Sequence, residues 1–244
     1  MANANPVGMP LDANVKLVPN PEDNELNWSN AYAKLLGALQ YMYHQPDILY
    51  VVNHLGAYTA NPSPQHYGTL KRILRYLVGT KDLGITYKSQ ENDKTDTLFQ
   101  GYADAAYVNN DDLKPTTGYI FLSSGGAITW KSKKQTIIAL STMESEYVAL
   151  SEAGHEAVWL RNLYGKLGFP QKAAVIIKGD NDGSVILTHN PQFHQQSKHI
   201  QICHHWIRDL VQEKMLDINY CTNKAFIEPK HIKHTAEMGL KRFR

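Results

Sequence analysis

Cysteine is nearly absent from this sequence. Cys203 and Cys221 are the only two in 244 residues, too few for a disulfide scaffold and without a Cys-x-x-Cys spacing, so a reducing compartment fits better than an oxidising one. No apolar run approaches the roughly 18 residues that mark a membrane helix. The N-terminal MANANPVGMPLDANVKL lacks the basic-then-apolar order of a secretory signal. These absences predict a soluble intracellular protein, cytoplasmic or nuclear, with no membrane partner. A strong excess of one charge is also missing: 25 Lys and Arg face 23 Asp and Glu, a formal net charge of +2. Composition therefore does not point to nucleic acid, and such a partner would have to be read from local patches. What remains is ordinary globular material. With 43% hydrophobic and 20% charged residues, the chain is neither disordered nor fibrous, and its length allows one large domain or one of about 150 residues plus a smaller one.

The first thirty residues carry Pro6, Pro10, Pro19 and Pro21 among Asn and Asp, which predicts an extended arm with little packing of its own. Three amphipathic helices are expected next. Tyr32, Leu35, Leu36, Leu39 and Met42 recur at spacings of three and four, Ile48, Val51, Val52, Leu55 and Tyr58 follow Pro46, and Leu70, Ile73, Leu74 and Leu77 mark a third helix from His66 to Leu77, capped by Gly79. From about Thr97 the texture changes. LFQGYAD, GYIFLSS and AITWKS, separated by turn residues, read as a three-stranded antiparallel meander. A long helix from Thr142 to Leu167 follows, with Met143, Tyr147, Leu150, Ala153, Ala157, Leu160, Tyr164 and Leu167 as its buried stripe and Gly168 and Pro170 as its stop. Then come a strand (AVIIKGD), helical runs at 184–188 and 200–214, a strand (LDINY) and a last short helix from His231 to Leu240. This order predicts a mixed α/β sheet.

Acidic residues fall at element ends. Asp104 closes the first strand of the meander, Glu144 and Glu146 open the long helix, and Asp180 closes the fourth strand. Three converging carboxylates can hold two divalent cations about 3.5–4 Å apart, an arrangement suited to in-line phosphodiester displacement. Mg²⁺ prefers such hard oxygen ligands. Solvated turn residues and a dipole-favoured acid at a helix N-terminus make the same pattern.

The motifs YAD, TTGYIFLSSGGAITWKSKKQTIIALSTMESEYVALSEAGHEAVWLRNL, GDNDGSVILTHNPQFHQQSKHI and HHWIRDLV, in this order, closely resemble the ribonuclease H domain of copia-type LTR retrotransposon polyproteins. The upstream stretch from GALQYMYHQPDILY to LRYLVGTKDLGITY resembles the thumb and connection end of the reverse transcriptase in the same elements. The resemblance implies an extended arm over 1–30, a helical reverse transcriptase remnant over 31–92 and a ribonuclease H-like domain over 93–244, with a mixed five-stranded sheet flanked by helices. It implies Mg²⁺-dependent endonucleolytic hydrolysis of RNA in RNA/DNA hybrids, with two Mg²⁺ ions that Mn²⁺ can replace. Asp104 matches the first metal-binding Asp and Asp180 the third. Glu146-Tyr147-Val148-Ala149 satisfies the family frame for the helical Glu; Glu144, about 200° round the helix, is the reserve.

The chain departs from that pattern at three places. Ala106 stands where the family has a second Asp, and Gln201 follows Lys198-His199-Ile200 where the family has Asp. The closing Ala-Asp-x-x-Thr-Lys helix, which supplies a fourth carboxylate in the family, has no counterpart: Tyr220-Cys221-Thr222-Asn223-Lys224-Ala225-Phe226 runs directly toward Glu228. Glu228 and Glu237 are the substitutes to consider. Impaired cleavage is therefore expected, and the alternative is a catalytically silent, retroelement-derived nucleic-acid-binding or protein-interaction module.

Lys131, Lys133 and Lys134 beside Trp130, and Lys71, Arg72 and Arg75 on the third helix with Lys81 nearby, are expected to contact phosphates. Thr117 and Ser141 are further phosphate-donor candidates. His199 is a candidate proton shuttle near the leaving group. Seven of the eleven histidines lie between His189 and His234, but no Cys or His pair completes a zinc spacing. His155 reads as a helix-surface residue, and Tyr147, Trp159 and Tyr164 as core or near-core.

Overall fold

The computed structural model describes residues 4–12, 14–21, 29–88, 97–106, 114–139, 141–189, 206–221 and 240–242. The chain divides into two compact units, Met1–Ile85 with Glu228–Arg244, and Thr86–Ile227.

The first unit is built on three helices, α1 (Ser29–Gln40), α2 (Pro46–Gly56) and α3 (Pro64–Gly79). Local signals start two of them. Pro46 and Pro64 sit in the first turn of α2 and α3, where a missing N–H costs nothing. Ser63 caps α3 with its side chain, and His66 returns the bond from the third helical position. Tyr32, Leu36, Leu39, Ile48, Val52, Leu55, Leu70 and Ile73 form the core of this unit. The N-terminal arm is extended, as its prolines require, but it does pack: Leu17 is buried, and Val7, Leu11 and Val15 lie against the same core. Four prolines fix the arm's backbone without removing its apolar side chains, and these still gain by leaving water. Gly79 likewise has another role than the one expected. It is the last residue of α3 rather than its cap, and a Cβ there would come within 2.9 Å of Pro6, so glycine admits the arm. A short strand, β1 (Leu83–Ile85), pairs antiparallel with β7 (Leu240–Arg242). The last short helix expected over 231–240 falls outside the described residues except for Leu240, which is in this strand.

The second unit is a five-stranded mixed sheet, as the sequence pattern predicts. Its strands are β2 (Gln100–Ala106), β3 (Thr116–Ser123), β4 (Gly126–Lys134), β5 (Val175–Gly179) and β6 (Leu216–Tyr220), in the order β4-β3-β2-β5-β6. The first three form the antiparallel meander; β5 runs parallel to β2 and β6 parallel to β5. One sheet face packs on α4 (Thr142–Lys166), with α5 (Asp182–His189) and helical residues 206–212 completing the layer. Phe99, Ala103, Phe121, Tyr147, Leu150, Ala153, Val175, Ile177, Ile207 and Ile218 make one continuous core. The helix stops where Gly168 takes φ +87°, the left-handed conformation that lets the Phe169 N–H reach the Tyr164 carbonyl.

The buried stripe of α4 differs from expectation at its margins. Tyr147, Leu150, Ala153, Ala157 and Leu160 are buried, whereas Met143 and Leu167 at the two ends are exposed, and so is Trp159. Ser145, Ala149, Ser151 and Gly154 are buried instead. Small residues let the helix sink against its neighbours over a wide arc, so its inward side is not the largest-residue side.

Candidate metal centre

Three carboxylates meet at one end of the sheet. Asp104 lies near the end of β2 and Asp180 directly after β5, and the parallel register pairs Tyr102 with Lys178. Continuing that register by two residues sets Asp104 beside Asp180. Glu146, in the first turns of α4, completes the group: one carboxylate oxygen from each residue lies within 4.8 Å of the other two. The Ala105 backbone N–H donates to Glu146 Oε2 at 3.0 Å, which ties the helix to the strand beside Asp104.

The helix start is held by contacts that spacing does not reveal. Ser141 Oγ accepts the Glu144 N–H at 3.1 Å, capping α4. Gln135, just past β4 and buried, donates both Nε2 hydrogens, one to Thr117 Oγ1 and one to the Ser145 carbonyl, each at 2.9 Å. Its own N–H donates to the Pro115 carbonyl at 2.7 Å. One side chain thus joins β3, the end of β4 and the residue before Glu146. Nothing in a single sequence marks Gln135 for this task, because its partners come from three separate segments. On the third side, Asn181 caps α5, accepting the Ser184 N–H on Oδ1 at 2.9 Å, and the Cys221 N–H donates to the Gly179 carbonyl at 2.8 Å. These bonds fix the backbone on both sides of Asp180.

The electrostatics follow from burial. Burial first, and the neighbouring charge of Asp180 second, push the Asp104 carboxyl up to about 6. Burial, then repulsion by Asp104 and Asp180, pushes Glu146 up to about 9, against the opposing pull of the Ala105 N–H. Burial also raises Asp180. The hydrogen bond between Asp104 and Glu146 lowers the first and raises the second. Among the described residues there are two ion pairs, Arg72–Asp12 and Lys131–Glu152, and neither touches this trio. Hard oxygen donors, held by backbone bonds and with no compensating cation in an ion pair among the described residues, match the ligand chemistry of a divalent metal.

Glu146 enters this group and Glu144 does not. His199, Glu228 and Glu237 lie outside the described residues. Lys133 is exposed on β4, Lys134 half-buried beside it, and Lys131 is engaged with Glu152 at 2.7 Å. In the other unit, Lys71 lies over the Tyr67 ring, 4.4 Å from its centroid. Arg72 and Arg75 hold the N-terminal arm: their Nε groups donate to the Met9 and Asn5 carbonyls at 3.2 and 2.7 Å, and Arg72 also pairs with Asp12 at 3.4 Å. Thr117 is fully buried against Gln135 rather than open to phosphate, because it points to the α4 side of the sheet. His155 is exposed, with its ring stacked on Trp206 at 3.7 Å.

The chain is similar to the retrovirus-related Pol polyprotein from transposon TNT 1-94 of Nicotiana tabacum, with 36% identity over 226 residues that cover 89% of this chain and 17% of that protein. It is also 39% identical over 132 residues to the secreted RxLR effector protein 161 of Plasmopara viticola, covering 53% of this chain and 90% of that one. The chain is homologous to a segment of retrovirus-related Pol polyproteins from transposons. The resemblance carried by the YAD, ESEYVA and GDN motifs is thereby borne out. The chain spans 15–17% of the length of the transposon polyproteins it matches. No protein-family model matches it. The crystal structure of LC11 ribonuclease H1 in complex with RNA/DNA hybrid aligns with 52% of this chain and 86% of its own, at 15% identity and a TM-score of 0.39. No helix among the described residues is long and apolar enough to cross a membrane.

Proposed function

We propose that Thr86–Ile227 is a ribonuclease H-type unit of a copia-type element, which hydrolyses the RNA strand of an RNA/DNA hybrid with Asp104, Glu146 and Asp180 as ligands of two Mg²⁺ ions. The observation that carries this reading is the convergence of the three carboxylates within 4.8 Å, in a chain whose relatives are transposon Pol polyproteins. The bound ions would supply charge stabilisation and an activated water for phosphodiester displacement. The protein's own part is positional. Ala105 and Gln135 set Glu146, the parallel β2–β5 pair sets Asp104 beside Asp180, and exposed Lys133 binds backbone phosphate. As metal ligands these carboxyls would have to be ionised, so loading would be favoured as pH rises toward about 9, the value to which Glu146 is pushed.

With three carboxylates among the described residues in place of the family's four, a second cation would meet fewer anionic oxygens. Mg²⁺ demands near-ideal octahedral surroundings, and Mn²⁺ is the softer substitute. The test is cleavage of a labelled RNA/DNA hybrid. Slow or absent hydrolysis in Mg²⁺, partial recovery in Mn²⁺ and complete loss in Asp104→Asn are expected. Rapid cleavage in millimolar Mg²⁺ would mean that another residue, Glu228 or Glu237 first, fills the fourth position. The missing Ala-Asp-x-x-Thr-Lys step favours a second reading, a silent module that binds hybrid; retained hybrid binding without cleavage in either cation would establish it.

A further inference from the structure

Helix α4 turns a second face away from its sheet. Trp159 on that face is 54% exposed, and Leu167 and Phe169, just past the end of the helix, are 63% exposed. Leu163 is half-buried. Large apolar side chains gain by leaving water, and those of α4 that face the sheet, such as Tyr147, Leu150 and Leu160, have done so. Trp159 has not.

Glu156, Trp159, Leu163 and Lys166 follow one another at spacings of three, four and three. Such an alternation forms one seam along a helix and packs against a second helix at a crossing of roughly +20°. The charges on this seam say which helix. An acid stands three residues before Trp159 and a base three residues after Leu163, so the seam is apolar in the middle with opposite charges at its two ends. Turned end for end, it is its own complement. In an antiparallel pair of two copies, Trp159 lies across from the partner's Leu163 and Glu156 across from the partner's Lys166, and the two-fold axis makes each contact twice. A parallel pair would set acid on acid and base on base, which costs energy.

Local structure holds these charges and leaves them available. Glu156 accepts the Tyr119 hydroxyl on Oε2 at 3.1 Å, and a carboxylate has room for further donors. Glu152, one turn earlier, is engaged with Lys131 at 2.7 Å and does not compete. Lys166 is exposed in the last turn of α4. A cation suits the negative end of the helix dipole there, but the dipole accounts for neither Glu156 nor an exposed tryptophan. Glu156 follows Glu146 by ten residues, about 15 Å of helix rise, so the seam begins well away from the carboxylate centre.

We propose that two copies of this chain pair antiparallel along α4, with Trp159 and Leu163 as the buried centre and Glu156 and Lys166 as flanking ion pairs. A contact between two helices lies at the small end of specific interfaces, under roughly 1,200 Å² in total, so the dimer is weak and reversible. Sedimentation velocity of the whole chain, from micromolar to near-millimolar concentration, should show a mass that rises from one chain toward two and stops, because a two-fold contact is closed. Trp159→Lys should weaken dimerisation roughly thirtyfold or more, as for a central aromatic anchor. Lys166→Glu should weaken it roughly five- to tenfold by setting acid against acid twice. Mixed in equal amounts, Glu156→Lys and Lys166→Glu chains should recover the dimer that each lacks alone, since both contacts again join opposite charges. If Glu156→Lys fails to fold for want of its bond to Tyr119, the salt response of Lys166→Glu decides: added salt should strengthen its dimer and weaken that of the original chain. A chain that stays monomeric throughout, growth beyond two copies, a dimer that Trp159→Lys leaves intact, or folded charge-reversed chains that do not recover on mixing would overturn the proposal.

Discussion

Each unit buries ionisable groups, and the two do so to opposite ends. In the helical unit, His66 is fully buried and accepts the Ser63 N–H on Nδ1 at 2.9 Å, with its ring stacked on Tyr58 at 4.0 Å. Burial, with a smaller contribution from His54, holds it below the ordinary imidazole value of 6.5. Its Nδ1 partner is a backbone donor that needs an unprotonated ring nitrogen, so the group closes a helix cap. In the sheet unit, Glu146 is buried with Asp104 and Asp180 half-buried beside it, and the Ala105 N–H donates to Glu146. Their mutual repulsion is of the kind that a bound cation would relieve. Burial alone therefore does not mark a functional site; burial among like charges does.

The comparison is broken most directly at Glu146. Glu146→Gln should lower hybrid cleavage by at least about a thousandfold, several kcal/mol of transition-state stabilisation, while raising the thermal stability of the metal-free protein at pH 8, because glutamine folds without the proton uptake that the raised Glu146 carboxyl requires there. Loss of both activity and stability would make Glu146 a packing residue instead. The pH profile in chelator is the next largest effect. Asp104 and Glu146 are raised in the fold to about 6 and about 9, so the folded sheet unit holds more protons than the unfolded chain. Its stability is full below the ordinary carboxylate range and falls as pH rises toward 9, on the order of a few kcal/mol. Denaturant unfolding from pH 5 to 9 reads this slope, and millimolar Mn²⁺ should flatten it; a slope indifferent to the cation would separate the trio from metal binding.

The helical unit should behave in the opposite sense. His66 is lowered in the fold, so stability is present above 6.5 and is lost as pH falls below it, with a cap worth about 1 kcal/mol at stake. Amide exchange in α3 between pH 7 and 5 measures this. His66→Gln, which keeps an acceptor for Ser63, should remove the dependence; an unchanged acid response would place the proton elsewhere, His54 first. Smallest is the effect of Lys133→Ala. Binding to hybrid should weaken alike for all sequences, with the salt slope reduced by about one unit. Equal slopes for the two proteins would make Lys133 a solvated surface residue.

Much of the fold was legible because its signals are local. Pro46 and Gly168 bound their helices through the residue's own geometry, and β2 to β6 follow the β-type runs of the sequence. The strands β1 and β7 went unread, since three residues carry no period and their pairing joins the two ends of the chain's first unit. The assignment of Trp159 to the core failed for a related reason. Periodicity identifies a face, but which arc of α4 is covered depends on what packs there, and Gly154 beside Trp206 draws the inward side away from Trp159.

By itself, the sequence determined the element order, the family motifs and the candidate carboxylates, Asp104, Asp180 and Glu146 with Glu144 in reserve, because each depends on residue types in local motifs. Tertiary structure decided the rest. Glu146 was chosen over Glu144 by the Ala105 N–H and the Gln135 clamp. Arg72 and Arg75 were turned from expected phosphate contacts to anchors of the N-terminal arm by the carbonyls of Met9 and Asn5. Such partners lie tens of residues apart, and hydrogen bonds act over about 3 Å, so only the folded chain brings them within reach.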